Sequence, residues 1–171
     1  MTVENNTVDP ETLRALQAAL ADGRQSEAAL AIQRGVGRLM RQLGHAHLSE
    51  LTLASGRRAD VVALTQSGDI WIIEIKSSVE DFRADSKWPE YWDYADRFLF
   101  AVAPGFPVEI LPQDAGLILA DRYGGELVRQ PEMRRLAPAR RRAMLLSFAR
   151  AAALRLGYAL DPDMASLIAK N

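Results

Sequence analysis

The sequence predicts an α/β fold in which a mixed central sheet is flanked by helices. Short apolar runs at 61–64, 70–75, 97–103 and 116–120, the first two rich in β-branched residues, alternate with stretches of helical period, the pattern of strands and helices sharing one core. The first two runs flank a glycine-containing turn at 66–69, the signature of a hairpin. At 171 residues, 49% hydrophobic and 25% charged, the chain has the material for one sheet with helices packed on it. The expected organisation is a flexible tail at 1–9 followed by a single domain at 10–171.

Asp9-Pro10-Glu11 supplies a capping acid, a proline at the first helical position and a second acid, so a short helix is expected from there to Asp22-Gly23. Ser26-Glu27 opens a stronger one. Ile32, Val36, Leu39, Met40 and Leu43 recur on one face, and Gly44 supplies the stop. Gly35 and Gly37 inside it each cost about 1 kcal/mol relative to alanine, so close packing against the sheet is expected there. Arg34, Arg38 and Arg41 lie off the apolar face and read as solvated surface, with phosphate contact as the sharper alternative. His45 and His47, the only histidines, lack a third nitrogen or sulfur ligand for zinc and read as structural or surface residues.

Residues 48–54 alternate as a first strand that leads through Ser55-Gly56 to the strand of Asp60. Ser77 and Ser78 provide capping chemistry ahead of Val79-Glu80-Asp81, and Pro89 begins a further helix. The run 97–103 is a buried strand closed by Pro104-Gly105 and Pro107. The run 116–120 is another, joined through 121–125 to a short strand around Leu127 and Val128. Pro138 opens a final long helix whose packing face is Leu145, Phe148, Ala152 and Leu156, with Arg141 on that face in the first turn.

Composition narrows the function. A net charge of −1 is not that of a generic polyanion binder, so any nucleic-acid contact must come from local patches. The absence of cysteine excludes disulfide frameworks and thiolate metal sites. The polar, acidic start lacks a basic, apolar targeting segment, and no stretch is expected to approach the length of a membrane span. A soluble cytoplasmic protein without membrane contact is the expectation.

Three charges interrupt the hairpin strands: Asp60, Glu74 and Lys76. Side chains alternate along a strand, so Glu74 and Lys76 share a face about 7 Å apart, while Ile73 and Ile75 face the other way. Asp60 reaches the same face if the hairpin pairs around the turn at 66–69. Two carboxylates brought together repel unless a proton or cation sits between them. Hard oxygen ligands suit Mg²⁺ or Mn²⁺, and an ammonium group alongside can orient a water or stabilise charge on a phosphate. The trio is therefore a candidate centre for metal-assisted phosphodiester hydrolysis, against the alternative of surface salt bridges on a wet sheet face. Arg57 and Arg58 lie beside it and would either neutralise the acids or hold phosphate.

Asp60 followed by Glu74-Ile75-Lys76 on the next strand resembles the PD-(D/E)xK, restriction-endonuclease-like, nuclease superfamily. The runs Gly56-Arg57-Arg58-Ala59-Asp60-Val61-Val62-Ala63, Glu74-Ile75-Lys76-Ser77-Ser78 and Asp81-Phe82-Arg83-Ala84-Asp85-Ser86-Lys87-Trp88-Pro89-Glu90-Tyr91 resemble the bacterial MmcB-like family of DNA repair proteins, over about 27–162. The resemblance implies a restriction-endonuclease-like sheet and a DNA repair role. It implies that Asp60, Glu74 and the Ile75 carbonyl bind Mg²⁺ or Mn²⁺ and that Lys76 orients the attacking water. Ala59 stands where the superfamily's name has proline. A further acid would come from Glu50 or Glu27, of which Glu50 is preferred. The spacing of Lys87 and Tyr91 is similar to the Gln-x-x-x-Tyr motif of the RecB-like branch, with lysine for glutamine, which implies that Lys87 faces the scissile phosphate.

Downstream of Arg134 the chain turns basic, and Arg140 and Arg141 are expected, with Arg57, Arg58, Lys87 and Tyr91, to contact DNA. The partners expected are DNA and repair-complex proteins. The reading carried forward is a metal-dependent DNA endonuclease, with a non-catalytic DNA- or partner-binding module of the same fold as its rival.

Overall fold

A computed structural model of the chain describes residues 26–161. The helix expected between Asp9 and Gly23, and the tail before it, lie outside the described residues. Two compact units are distinguished, Gln25–Phe148 and a second that includes the described residues 149–161.

Helix α1 (Glu27–Gln42) starts at Ser26, whose hydroxyl accepts from the Ala29 N–H at 3.1 Å, and ends before Gly44, whose φ of 72° is the left-handed conformation that suits glycine. Its buried stripe is Ile32, Gly35, Val36, Leu39 and Met40. Leu43, expected on that stripe, is 41% exposed, because the helix has already ended there. Strands β1 (Ala46–Thr52), β2 (Arg58–Leu64) and β3 (Ile70–Lys76) form an antiparallel meander. The chain then passes through a short helix, α2 (Val79–Ala84), and a 3-10 helix at Trp88–Asp93 before β4 (Arg97–Val102), which runs parallel to β3. Strand β5 (Gly116–Ala120) is parallel to β4, and β6 (Gly125–Arg129) folds back antiparallel. The sheet order is β1-β2-β3-β4-β5-β6, a mixed six-stranded sheet, as expected.

The two sheet faces have different covers. Val61, Ala63, Ile73, Ile75, Leu99, Ala101 and Ile118 pack on α1. The alternate residues of β4, Phe98 and Phe100, take the aromatics of the 3-10 helix: Trp88 stacks on Phe98 at 5.7 Å and meets Phe100 edge-on at 5.4 Å. Trp88 and Trp92 are thus cover aromatics of this face. The close approach at Gly35 is to the β5–β6 turn, where a Cβ would lie 2.2 Å from the Asp121 carbonyl oxygen and 2.3 Å from that of Gly124. Arg38 strengthens this contact by donating to the Arg122 and Tyr123 carbonyls at 2.8 and 2.9 Å, so it caps a turn and is not free for phosphate.

Helix α3 (Pro138–Leu160) closes over Val62, Leu64 and Ile70 with Met144, Leu145 and Phe148. Leu156, expected on its packing face, is 49% exposed. By length and composition alone α3 is long and apolar enough to cross a membrane, which corrects the expectation that no stretch approaches that length. Arg140, Arg141, Arg142, Arg150 and Arg155 all lie along it.

Candidate active site

Strands β2 and β3 pair through Val61↔Ile73, and the registered ladder stops there. Asp60 and Glu74, the next pair in sequence, replace the missing backbone bonds with their side chains. The Asp60 N–H donates to Glu74 Oε1 at 3.2 Å, and the Ile75 N–H donates to Asp60 Oδ2 at 2.8 Å. Each carboxylate therefore spends one oxygen on the opposite strand and keeps a second for other use. On the other side of β2, Glu50 occupies the interval between the pairs Ser49↔Val61 and Leu51↔Ala59, opposite Asp60. It has a φ of 54°, a costly conformation for a residue other than glycine, Asn or Asp. Three acids thus stand side by side on three neighbouring strands.

Lys76, two residues beyond Glu74 on the same face, places its ammonium 3.9 Å from Glu74 Oε2. Its closer partner is Asp85, just past the end of α2, at 2.6 Å. Glu74 and Lys76 are each 4% exposed. Burial pushes the Asp60 carboxyl up to about 6, with Glu50 and Asp81 adding to the rise against the Ile75 N–H and the Lys76 charge. Glu74 is raised well above the carboxylate range by burial and then by Asp60. For Lys76 burial works against the charge, but the hydrogen bond it donates to Asp85 and the charges of Glu74, Asp85 and Asp81 together outweigh it, and the ammonium is held more firmly than usual. For Asp85 burial is the largest single influence and raises it, but the bond from Lys76, the Lys76 charge, the Lys87 N–H and the Arg57 charge together leave it lowered.

The remaining predicted residues fall into place around this centre, several in roles other than those expected. Arg57 is clamped by Glu90 through two bonds, Nε to Oε2 at 2.6 Å and Nη2 to Oε1 at 2.8 Å. Arg58 pairs with Glu50. Tyr91, expected to contact DNA, is 6% exposed, and its hydroxyl donates to the Arg58 carbonyl at 3.2 Å; it braces β2 from inside and corrects that expectation. Lys87 is exposed at the residue preceding the 3-10 helix, and its N–H donates to Asp85 Oδ1 at 3.0 Å. Glu27 is 94% exposed on α1, which packs on the opposite sheet face, so Glu50 is the acid that reaches Asp60's neighbourhood.

Arg140 and Arg141 are not beside the carboxylates. Arg141 donates to Asp96 at 2.5 and 2.9 Å and to the Gly68 carbonyl at 2.8 Å, at the start of β3, so it is a structural tie and corrects its assignment to DNA. Arg140 donates to the Asp93 carbonyl at 2.9 Å and lies over the Tyr94 ring. Arg134 is likewise engaged by Asp114 and Glu132 and lies 3.9 Å over the Trp92 ring. The histidines are structural as expected: His45 meets Trp71 edge-on at 5.1 Å, and burial lowers the His47 pKa.

Two residues were not singled out by sequence reasoning, Asp85 and Asp96. The available signal for Asp96 was an acid at the mouth of an apolar strand, and for Asp85 an acid just past a short capped helix.

A family model for MmcB-like DNA repair proteins matches residues 16–163 of the chain. The chain belongs to the MmcB-like family. A solved structure with which this MmcB-like chain shares 42% identity is the SPO1766 protein of unknown function from Silicibacter pomeroyi. The match has a TM-score of 0.78 and covers 81% of this chain and 95% of that one. No curated protein matches the sequence.

Proposed function

We propose that the domain hydrolyses phosphodiester bonds in DNA with the aid of Mg²⁺ or Mn²⁺, as part of the repair role that its MmcB-like family description carries. The observation behind the reading is the break in the β2–β3 ladder, where Asp60 and Glu74 face each other with a lysine on the same strand face.

The donor set fits a small hard dication in chemistry. A buried carboxylate, Glu74, and a half-buried one, Asp60, that repel each other are the setting in which a dication replaces a proton, and Mg²⁺ needs only one or two carboxylates with water or phosphate oxygens for the rest. Among the described residues no group of three or more His, Cys, Asp or Glu side chains forms a ready metal cage; the residues that would hold the ion are Asp60, Glu74 and the Ile75 carbonyl. When bound, the ion would polarise the phosphate and lower the pKa of a water.

The protein's own share follows from its residues. Lys76, held as a cation by Asp85 and Glu74, acts as a hydrogen-bond donor that orients the attacking water and offsets charge on the phosphate; it is not a base. Glu50, paired with Arg58, holds a negative potential beside Asp60. The test is cleavage of labelled linear, nicked, single-stranded and branched DNA with Mg²⁺ or Mn²⁺, comparing wild type with Lys76→Ala. Metal-dependent products that vanish in the variant support the reading, and no products on any substrate count against it.

A second reading is a DNA- or partner-binding module without catalysis. It is favoured by the pairing of Lys76, Arg57 and Arg58 with acids of the same protein. Full in-cell repair function in Asp60→Asn would select it.

A further inference from the structure

Glu74 and Lys76 are the groups a phosphodiester would have to meet, yet each is 4% exposed. The segment next to them is α2 with Asp85 at its end. None of the residues of α2 is fully buried; its apolar hold on the sheet is Phe82, which meets Phe100 edge-on at 5.5 Å, and polar bonds supply the rest. Asp81 accepts from the Ser77 N–H and hydroxyl at 2.9 and 3.1 Å, and Asp85 accepts from Lys76 at 2.6 Å. Five residues later Glu90 takes Arg57 through both of its oxygens. Ammonium and guanidinium groups bind phosphate oxygens with the same donors and at the same distances.

Resting on the proposal that Lys76 meets a phosphate, we propose that Asp85 is an internal competitor for it. In the free protein Asp85 occupies Lys76; a phosphate of the nucleic-acid backbone exchanges for the carboxylate and releases residues 79–85 from beside Glu74. The exchange is one anion for another at one cation, so Lys76 is never left buried and unpaired. Asp85 is the acid suited to leave, because its side chain is 24% exposed while that of Glu74 is 5% exposed. Its other oxygen is already held at the rim by the Lys87 N–H, which gives the displaced carboxylate a pivot. The site is then self-masked, and opens only to a polyanion.

The experiment is binding of a fluorescein-labelled single-stranded oligodeoxynucleotide in EDTA, followed by fluorescence anisotropy, for wild type, Asp85→Asn, Lys76→Met and the double variant. Removing the competitor tightens binding on the order of tenfold in Asp85→Asn. The same change adds nothing in the Lys76→Met background. Unchanged or weaker binding of Asp85→Asn overturns the proposal, and so does an equal gain without Lys76, which would be a general charge effect. Asp85→Ser replaces the variant if Asp85→Asn is unfolded by circular dichroism. A protein that folds with neither cannot release the contact, which also overturns it. Because binding is read without metal, a lack of cleavage speaks against the nuclease alone, and cleavage without the binding gain speaks against the competitor alone.

Discussion

The two ends of β3 treat buried carboxylates in opposite ways. At its start, Asp96 accepts from the Ile70 and Leu136 N–H groups at 2.8 and 2.9 Å and from both Arg141 terminal nitrogens. Four donors, two of them on one guanidinium cation, together outweigh the burial, and the carboxyl is held below its ordinary value. Towards its end, Asp60 and Glu74 each take a single backbone N–H from the opposite strand, sit beside one another, and are raised. The first arrangement is complete as it stands and ties a turn, a strand and a helix together. The second has spare oxygens and a charge deficit, which a structural role does not require. The two ends of β3 thus separate an acid that holds the fold from acids whose second oxygens are open to the proposed ligand.

The largest expected effect comes from breaking the complete end. Asp96→Ala strands the Arg141 guanidinium and two strand and loop N–H groups, and costs about 3–5 kcal/mol in urea unfolding. At the other end, on the proposed function, Lys76→Ala lowers cleavage on the order of 10²–10³-fold, and it costs less stability than Asp96→Ala because Asp85, the partner it abandons, is 24% exposed. A loss of activity matched by an equal loss of stability would erase the contrast between the two ends.

The pH dependence of stability separates them by sign. Asp60, raised from 3.8 to about 6, binds its proton more tightly folded than unfolded, so its contribution falls as pH rises through that window. Asp60→Asn removes this decline and stabilises the protein at pH 7 by on the order of 1–2 kcal/mol, while abolishing cleavage. Asp96, held low, contributes fully above its unfolded value and is lost only as pH falls below it. Urea midpoints collected from pH 3 to 7 on both variants measure the two slopes. Mn²⁺ sharpens the same comparison: at a hundred times its dissociation constant it stabilises wild type by about 2.7 kcal/mol, and Asp60→Asn much less. The smallest effect is Tyr91→Phe, which loses one hydroxyl bond to Arg58 and costs about 1 kcal/mol.

Local signals carried the fold well. Ser26 and Ser78 cap their helices as their positions predict, because a capping hydroxyl acts within three residues. The hairpin turn closes at Gly68 with a φ of 84°, as a glycine in a short turn requires. Alternation placed Ile73 and Ile75 in the core opposite Glu74 and Lys76, because the strand period leaves no other choice. Leu43 and Leu156 departed from their predicted faces, since helical spacing does not say where a helix ends or what meets its last turns.

What the sequence determined by itself was the strand pattern, the helix starts and the identity of the three charges that interrupt a buried hairpin. The tertiary structure alone decided which acid belongs to which cation. Asp85 on Lys76, Glu90 on Arg57 and Asp96 on Arg141 join residues 9, 33 and 45 positions apart. Charges of either sign are interchangeable along a chain until folding fixes their distances. Coulomb energy and burial act only through those distances, and periodicity carries no record of them.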